Sequence, residues 1–245
     1  MFIKLRIIYY SLFLNKIPSE YHDILSTYNE YYNDLSEPLQ KRFRERVYLS
    51  SRFVKFLPVE FKTVTREMRV LITSALVQIT FGLKKFVLKR FKKIYVVPNT
   101  YSFAQFPALL GHVDHQNDVI AMSWPSVKEG FIIPDDAMNV ALHELAQALQ
   151  GEDEERFSFG NIFNETRMQN WTIEATKELE AIRTNRHKFL RDYAGHNLFE
   201  LFAVSIESFF EQSEKFKEEV PKLYKLISNL LNQDPTNKEN PILNP

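Results

Sequence analysis

A histidine followed directly by a glutamate lies in the middle of an apolar stretch, residues 139–149. The apolar side chains recur with the period of a helix, so His143 and position 147, one turn later, are expected on one face. Two side chains spaced in this way bind zinc in His-Glu-x-x-His helices, where the glutamate after the first ligand is the general base. Position 147 is a glutamine here, and the polar stripe of an amphipathic helix would give the same pattern.

Two further glutamates belong to a helix predicted over residues 197–211, whose other side chains are mostly apolar. Glu200 and Glu207 are two turns apart and share a face of that helix. A carboxylate on a buried helix needs a cation, a hydrogen-bond partner or a shifted pKa. Glu200 is therefore a candidate acidic zinc ligand downstream of His143. The alternative is a narrow polar stripe that reaches water or an arginine.

Two segments resemble the family of glucose-regulated zinc metallopeptidases typified by Mlc titration factor A. The first, residues 120–146, contains a Ser-Trp turn followed by the helix Asn-Val-Ala-Leu-His-Glu-Leu-Ala. The second, residues 193–210, has a tyrosine, a glutamate seven residues later, then Phe-Ala-Val and a Glu-Ser-Phe-Phe ending. The likeness extends roughly over residues 19–235. It implies an α+β, mainly helical zincin-type fold with a small β-sheet.

The resemblance also implies a role for each matching residue in a gluzincin-type site. His143 is then the first zinc ligand and Glu200 the acidic ligand. Glu144 is the general base that takes a proton from a zinc-activated water, and Tyr193 donates to the oxyanion of the tetrahedral intermediate. Gln147 stands where the family has its second zinc-ligand histidine.

The glutamine leaves three interpretations open, because an amide oxygen is a weaker zinc donor than an imidazole nitrogen. In the first, the chain is a zinc-dependent peptidase for a peptide or protein substrate, weakened at this position or completed by another ligand such as His196. In the second, it is a degenerate, metal-poor metallopeptidase fold, a pseudoenzyme that acts as a binding or regulatory protein and has a regulatory protein partner. In the third, Gln147 hydrogen-bonds Glu200 and satisfies it without metal.

Composition limits the class of protein. The 245 residues are 44% hydrophobic, which is enough for one large domain, predicted over residues 1–232. The chain has no cysteine, which excludes disulfide scaffolds and zinc fingers and favours a cytoplasmic location. The 31 basic and 31 acidic residues cancel, so no nucleic-acid partner is predicted. Residues 1–110 nevertheless carry 18 Lys/Arg against 8 Asp/Glu, and residues 111–245 carry 13 against 23.

The remaining patterns predict the elements that position these residues. Gly151 is expected just beyond the end of the His143 helix, where a positive φ is needed. The basic run 84–93 is expected to be a solvated helix end, and residues 233–245 a flexible tail. Helices are predicted over 19–32, 36–56, 63–81, 135–150, 166–190, 197–211 and 215–232, and strands over 94–97 and 119–124.

The N-terminal segment, residues 1–14, is apolar but interrupted by Lys4 and Arg6. It is too short to span a bilayer and lacks the small-residue cleavage site of a signal peptide. We therefore expect a segment that packs on the body of the protein or contacts a membrane surface peripherally.

Overall fold

The computed structural model describes residues 2–12, 17–99, 101–103, 106–154, 162–186 and 189–244. The helices are α1 (Phe2–Ser11), α2 (Glu20–Tyr28), α3 (Glu30–Asp34), α4 (Glu37–Ser51), α5 (Arg66–Thr80), α6 (Trp124–Ile132), α7 (Val140–Glu154), α8 (Glu165–Arg183), α9 (Leu198–Glu211), α10 (Ser213–Glu219) and α11 (Pro221–Leu231). The strands are β1 (Lys55–Pro58), β2 (Lys93–Val97), β3 (Tyr101–Phe103), β4 (Phe106–Leu109), β5 (Gly111–Asp114) and β6 (Val119–Ser123). A 3₁₀ helix covers Asp192–Gly195.

One mixed sheet backs the helices, with strand order β1-β2-β6-β5. The first three strands are parallel, and β5 is antiparallel to β6, whereas β3 and β4 form a separate antiparallel pair. Apolar side chains of the two central strands, such as Ile94 and Ile120, are buried in the core. This arrangement confirms the predicted α+β, mainly helical fold of zincin type with a small sheet.

Helices α7 and α9 pack against each other in the centre of the largest core cluster. Ala141, Leu145 and Ala148 of α7 are fully buried, as are Phe202 and Ile206 of α9. Burying a side chain of leucine or phenylalanine size contributes about 1.5–3 kcal/mol. The apolar packing therefore fixes the polar faces of the two helices relative to each other.

The His143 helix does not end at Gly151, so the prediction of a positive φ there is wrong. Helix α7 continues to Glu154, and Gly151 is buried within it. A Cβ atom at Gly151 would lie 2.7 Å from Cε1 of His115, well inside van der Waals contact. A larger residue at position 151 would therefore have to displace the His115 ring.

Several predicted boundaries also differ from the structure. The helix predicted over 19–32 is divided at Asn29, whose side chain accepts a hydrogen bond from the Tyr32 amide and caps α3. The helix predicted over 215–232 is divided before Pro221, which opens α11. Strands β1 and β5 and helix α6 were not predicted, because four to nine residues carry little periodic signal.

The basic run 84–93 is not a helix end. Up to residue 92 it is an irregular connection into β2, with Val87, Leu88 and Phe91 buried. The carboxylate of Glu152 accepts hydrogen bonds from the backbone amides of residues 89–91 and holds the connection against α7. Apolar side chains within the charged run thus anchor it to the core.

The segment expected to be a flexible tail packs on the body as far as residue 244. Gln233 is fully buried and pairs with Ile242 in an isolated β-bridge. Its amide donates to the carbonyl oxygens of Gln78 and Ile79 at the end of α5. These hydrogen bonds hold the segment against the rest of the protein. Pro245 lies outside the described residues.

At the N-terminus, α1 leaves several large apolar side chains exposed, namely Leu5, Ile8, Tyr9 and Leu12. The Tyr10 ring contacts Phe53 edge-on, which joins α1 to the body. Peripheral membrane contact through residues 1–14 stays a prediction, and residues 1, 13 and 14 lie outside the described ranges. Across those ranges, no helix combines the length and hydrophobicity needed to cross a membrane.

Candidate metal centre

The packing of α7 on α9 brings together three of the predicted site residues. His143 Nε2 lies 3.0 Å from Glu200 Oε2. Gln147 Nε2 lies 3.1 Å from the same His143 nitrogen and donates to Glu200 Oε2 over 2.9 Å. The three atoms therefore form a nearly equilateral triangle. The sequence places His143 and Gln147 on one helix face, and the helix crossing adds Glu200.

The other nitrogen of the histidine is held by a second carboxylate. His143 Nδ1 lies 3.1 Å from Glu207 Oε2, and Glu207 Oε1 accepts a hydrogen bond of 2.8 Å from the Asn139 amide. Arg191 also donates to Glu207. Carboxylate partners of this kind fix the ring orientation of metal-binding histidines.

The charges of this cluster shift the pKa values of both His143 and Glu144. Burial opposes a charge on His143, but the Glu200 and Glu207 carboxylates beside it raise the pKa of His143 to about 10. Burial, with the charges of Glu200 and Glu207, raises the pKa of Glu144 to about 7 although His143 lowers it. Glu144 is 6% exposed, and within the described ranges its Oε2 has no hydrogen-bond partner. A carboxyl group with this pKa can accept or release a proton near neutral pH.

Tyr193 lies in the 3₁₀ helix and is half-exposed beside the histidine, with the two ring centroids 6.0 Å apart. Partial burial and the negative charges of Glu200 and Glu144 raise the pKa of its hydroxyl to about 12. The hydroxyl therefore keeps its proton at neutral pH. Tyr193 is thus a hydrogen-bond donor at the site, and a hydrogen bond to Glu200 also contributes to its raised pKa.

His196 does not join the group. It is exposed, its Nδ1 contacts the Tyr193 carbonyl oxygen at 2.8 Å, and it does not line the cavity beside His143. The ring of His115 packs against Phe91 and Phe199. Neither histidine supplies the ligand that Gln147 replaces in this arrangement.

His143 and Glu144 line a cavity of about 400 Å³. Glu144, Tyr193 and Arg191 line it together with Leu110 and Met138 from neighbouring loops. The cavity therefore offers an unpartnered carboxylate, a phenolic donor and apolar surface to a ligand.

His143 and Glu200 fit two of the ligand positions of a zinc site, and the Gln147 amide is a weaker third donor. Within the described ranges, no group of three or more His, Asp or Glu side chains is placed to hold a metal. His143 Nε2 and Glu200 Oε2 are both of the donor types found at zinc sites. The third corner is the Gln147 amide, which can offer its oxygen after a rotation of the side chain. The orphaned Glu144 oxygen is the feature expected where a bound water would complete the site.

A methyl group on the edge strand β5 should displace the Glu144 carboxyl. A Cβ atom at Gly111 would lie 2.4 Å from Glu144 Oε1. We expect Gly111→Ala to lower the free energy of unfolding by about 1–3 kcal/mol, as overpacking does. The loss should disappear in a Glu144→Ala background, because the clashing atoms are gone. Urea unfolding of the four proteins tests this; an equal loss in both backgrounds would show that Glu144 is not the group displaced.

A second buried carboxyl, Glu211 at the end of α9, should make stability depend on pH. Burial raises the pKa of Glu211 to about 8, with the charges of Glu207 and Asp136 adding to it although an Asn139 hydrogen bond opposes it. The folded state therefore holds a proton that the unfolded state releases at its ordinary pKa of about 4.3. Stability is then fully present below that pKa and is lost as the pH rises through about 8.

We therefore expect Glu211→Gln to unfold at a higher temperature than the parent protein at about pH 9 and at a similar temperature at about pH 5. Thermal unfolding across that range tests this. Glu219→Gln, which removes an exposed carboxylate from α10, is the matched control. Parallel pH profiles for Glu211→Gln and the parent protein would contradict the assignment.

Sequence reasoning missed Arg191 and did not identify Glu207 as the partner of His143. Glu207 carried a usable signal, since it shares the face of Glu200 on an apolar helix. Arg191 gave none, because it precedes the 3₁₀ helix in an irregular segment. Contacts made by such segments depend on tertiary packing.

Comparison with known proteins places the chain within a family. The model of a family described as glucose-regulated metallopeptidase M90 matches residues 9–231. An uncharacterized protein of Synechocystis sp. (strain ATCC 27184 / PCC 6803 / Kazusa) is 21% identical over 232 residues, which cover 88% of this chain and 84% of that protein. The residues matched by the family model include both segment 120–146, with His143 and Glu144, and segment 193–210, with Glu200.

Proposed function

We propose that this chain, which belongs to the glucose-regulated metallopeptidase family M90, is a zinc-dependent peptidase. His143 and Glu200 are its strong zinc ligands and Gln147 the weak third ligand. The observation that carries the proposal is the convergence of these three side chains within 2.9–3.1 Å of one another beside an unpartnered Glu144. The match to the family model confirms the resemblance seen in the sequence and shows that the chain belongs to a metallopeptidase family.

Zinc at this position would lower the pKa of a bound water and polarise the carbonyl group of a peptide bond. Glu144 takes the proton from the attacking water and later delivers it to the leaving amine. In the protein without metal, burial raises the pKa of Glu144 to about 7, so the carboxyl group can exchange a proton near neutral pH. Among the residues that the structure describes, the Oε2 atom has no hydrogen-bond partner that would have to be displaced before the proton moves.

Tyr193 stabilises the negative charge that develops on the carbonyl oxygen. Its hydroxyl keeps its proton because its pKa is about 12, and its ring lies next to the ligand His143. Glu207 orients His143, and Arg191 with the Asn139 amide orients Glu207. These three act through the ligand and are positioning residues.

Gln147 weakens the site without removing it. Its amide nitrogen donates to Glu200, so the side chain must turn before its oxygen can face the metal. His143 must also lose a proton, because a ligand imidazole is neutral. Both requirements lower the zinc affinity, and we expect occupancy to depend on the zinc concentration.

The same hydrogen bonds support a second candidate, a metal-poor fold that acts as a binding or regulatory protein. In this arrangement the Gln147 amide and the His143 ring satisfy Glu200 directly, without a metal ion. The peptidase proposal accounts better for Glu144, whose buried oxygen has no partner in that network. The cytoplasmic location and the regulatory partner stay predictions.

Peptide hydrolysis under metal control tests the proposed function. The purified protein is incubated with a mixed fluorogenic peptide library at increasing zinc concentrations, with and without a chelator. We expect cleavage that rises with zinc, stops with the chelator and is absent in His143→Ala. Equal cleavage by His143→Ala, or no cleavage once zinc is bound, would contradict the proposal.

A further inference from the structure

We infer that the cavity beside His143 selects substrates through a positively charged nitrogen group, which Glu129 and Asp136 bind. The inference rests on the proposed function and adds a substrate class to it. Both carboxylates line the same cavity as Glu144, one from α6 and one from the connection between α6 and α7. Both residues are exposed. In the parts of the chain that the structure describes, neither forms an ion pair.

The positive groups of this cavity are already compensated. Arg191 and the Nδ1 side of His143 both face Glu207, and the Nε2 side of the ring faces Glu200. Arg191 is thus paired with a carboxylate, and the His143 ring has a carboxylate on each side. Glu129 and Asp136 therefore leave a net negative charge in a concave site, which attracts a cationic ligand.

The rest of the lining shows that the cavity is built to receive a ligand with both polar and apolar parts. Glu144 lines the same cavity, and its buried Oε2 atom has no hydrogen-bond partner among the residues that the structure describes. Leu110 and Met138 line the cavity and are 41% and 49% exposed. Apolar walls beside carboxylates suit a lysine or arginine side chain, whose methylene stem packs while its charged end reaches the acid. A free peptide amino terminus offers the same cationic nitrogen.

Peptide binding in the presence of a chelator tests the inference separately from hydrolysis. Fluorescence anisotropy compares four peptides that carry lysine or norleucine at one position and a free or acetylated amino terminus. We expect the cationic peptides to bind about 10-fold more tightly than the neutral acetylated norleucine peptide, as for a charge pair partly removed from water. The two singly charged peptides show whether the side chain or the amino terminus supplies the cation.

The double variant Glu129→Gln/Asp136→Asn should lose this preference while binding of the neutral peptide changes by less than about 2-fold. Glu218→Gln/Glu219→Gln, with the same change of charge on the exposed face of α10, should keep it. Equal affinity of the parent protein for all four peptides, no binding of any of them, or a preference that survives in the cavity variant would overturn the inference. Zinc-dependent cleavage without a charge preference would overturn the inference alone. Charge-selective binding without cleavage would overturn only the proposed function.

Discussion

Replacing Gln147 by histidine should raise the zinc affinity by more than about 100-fold, which exceeds the usual effect of a residue that merely supports a ligand. The substitution adds an imidazole nitrogen one helical turn from His143, on the face that Glu200 already meets. It also removes the amide donor that occupies Glu200 Oε2. We expect the rate of peptide hydrolysis at low zinc concentration to rise with occupancy.

Isothermal titration calorimetry with zinc measures the first effect, and cleavage of a fluorogenic peptide measures the second. The matched control places the same histidine in a His143→Ala background, where a third strong ligand is again missing. The gain should then be lost. An equal gain in both backgrounds would show that the new histidine binds zinc elsewhere.

The second large effect is expected at the general base. Glu144→Gln should reduce the rate of hydrolysis by about 10²–10⁴-fold, because the amide cannot accept the proton of the attacking water. Zinc affinity should change little, since Glu144 is not among the ligands. Combined zinc titration and single-turnover cleavage separate the two effects. Hydrolysis at the parent rate would contradict the role of Glu144.

The same variant has a readout that does not depend on metal. Burial raises the pKa of Glu144 to about 7, so the folded state binds a proton that the unfolded state has lost. The parent protein should therefore lose stability as the pH rises through about 7, whereas Glu144→Gln should not. Thermal unfolding at several pH values without zinc tests this, and identical profiles would show that the carboxyl group is not desolvated.

The sequence was sufficient to predict the elements with strong periodic patterns. Helices α5 and α9 and strands β2 and β6 lie close to their predicted ranges, because long apolar repeats are local signals. Helix α7 overlaps its predicted range but begins five residues later and ends four residues later. The same periodicity placed His143 with Gln147, and Glu200 with Glu207, on shared helix faces. The resemblance to the metallopeptidase family then predicted that these two helices contribute to one site.

Other features depend on tertiary contacts that local patterns do not encode. Glycine is common just beyond the end of a helix, but Gly151 lies inside α7. The His115 ring packs where a side chain at this position would be. Arg191 reaches Glu207 from an irregular segment. Strand β5 is four residues long and gives little sequence signal. It nevertheless brings Gly111 so close to Glu144 that a side chain there would collide with the carboxyl group. None of these contacts follows from the spacing of residues along the chain.

The presence of a zinc site formed by His143 and Glu200 is tested most directly by equilibrium dialysis of the unmodified protein against a series of zinc concentrations. Elemental analysis of the dialysed protein counts the metal, with His143→Ala as the matched control. We predict saturable binding that reaches one zinc per chain and is lost in His143→Ala. Equal binding by both proteins, or no saturable binding at concentrations that fill Gln147→His, would contradict the account.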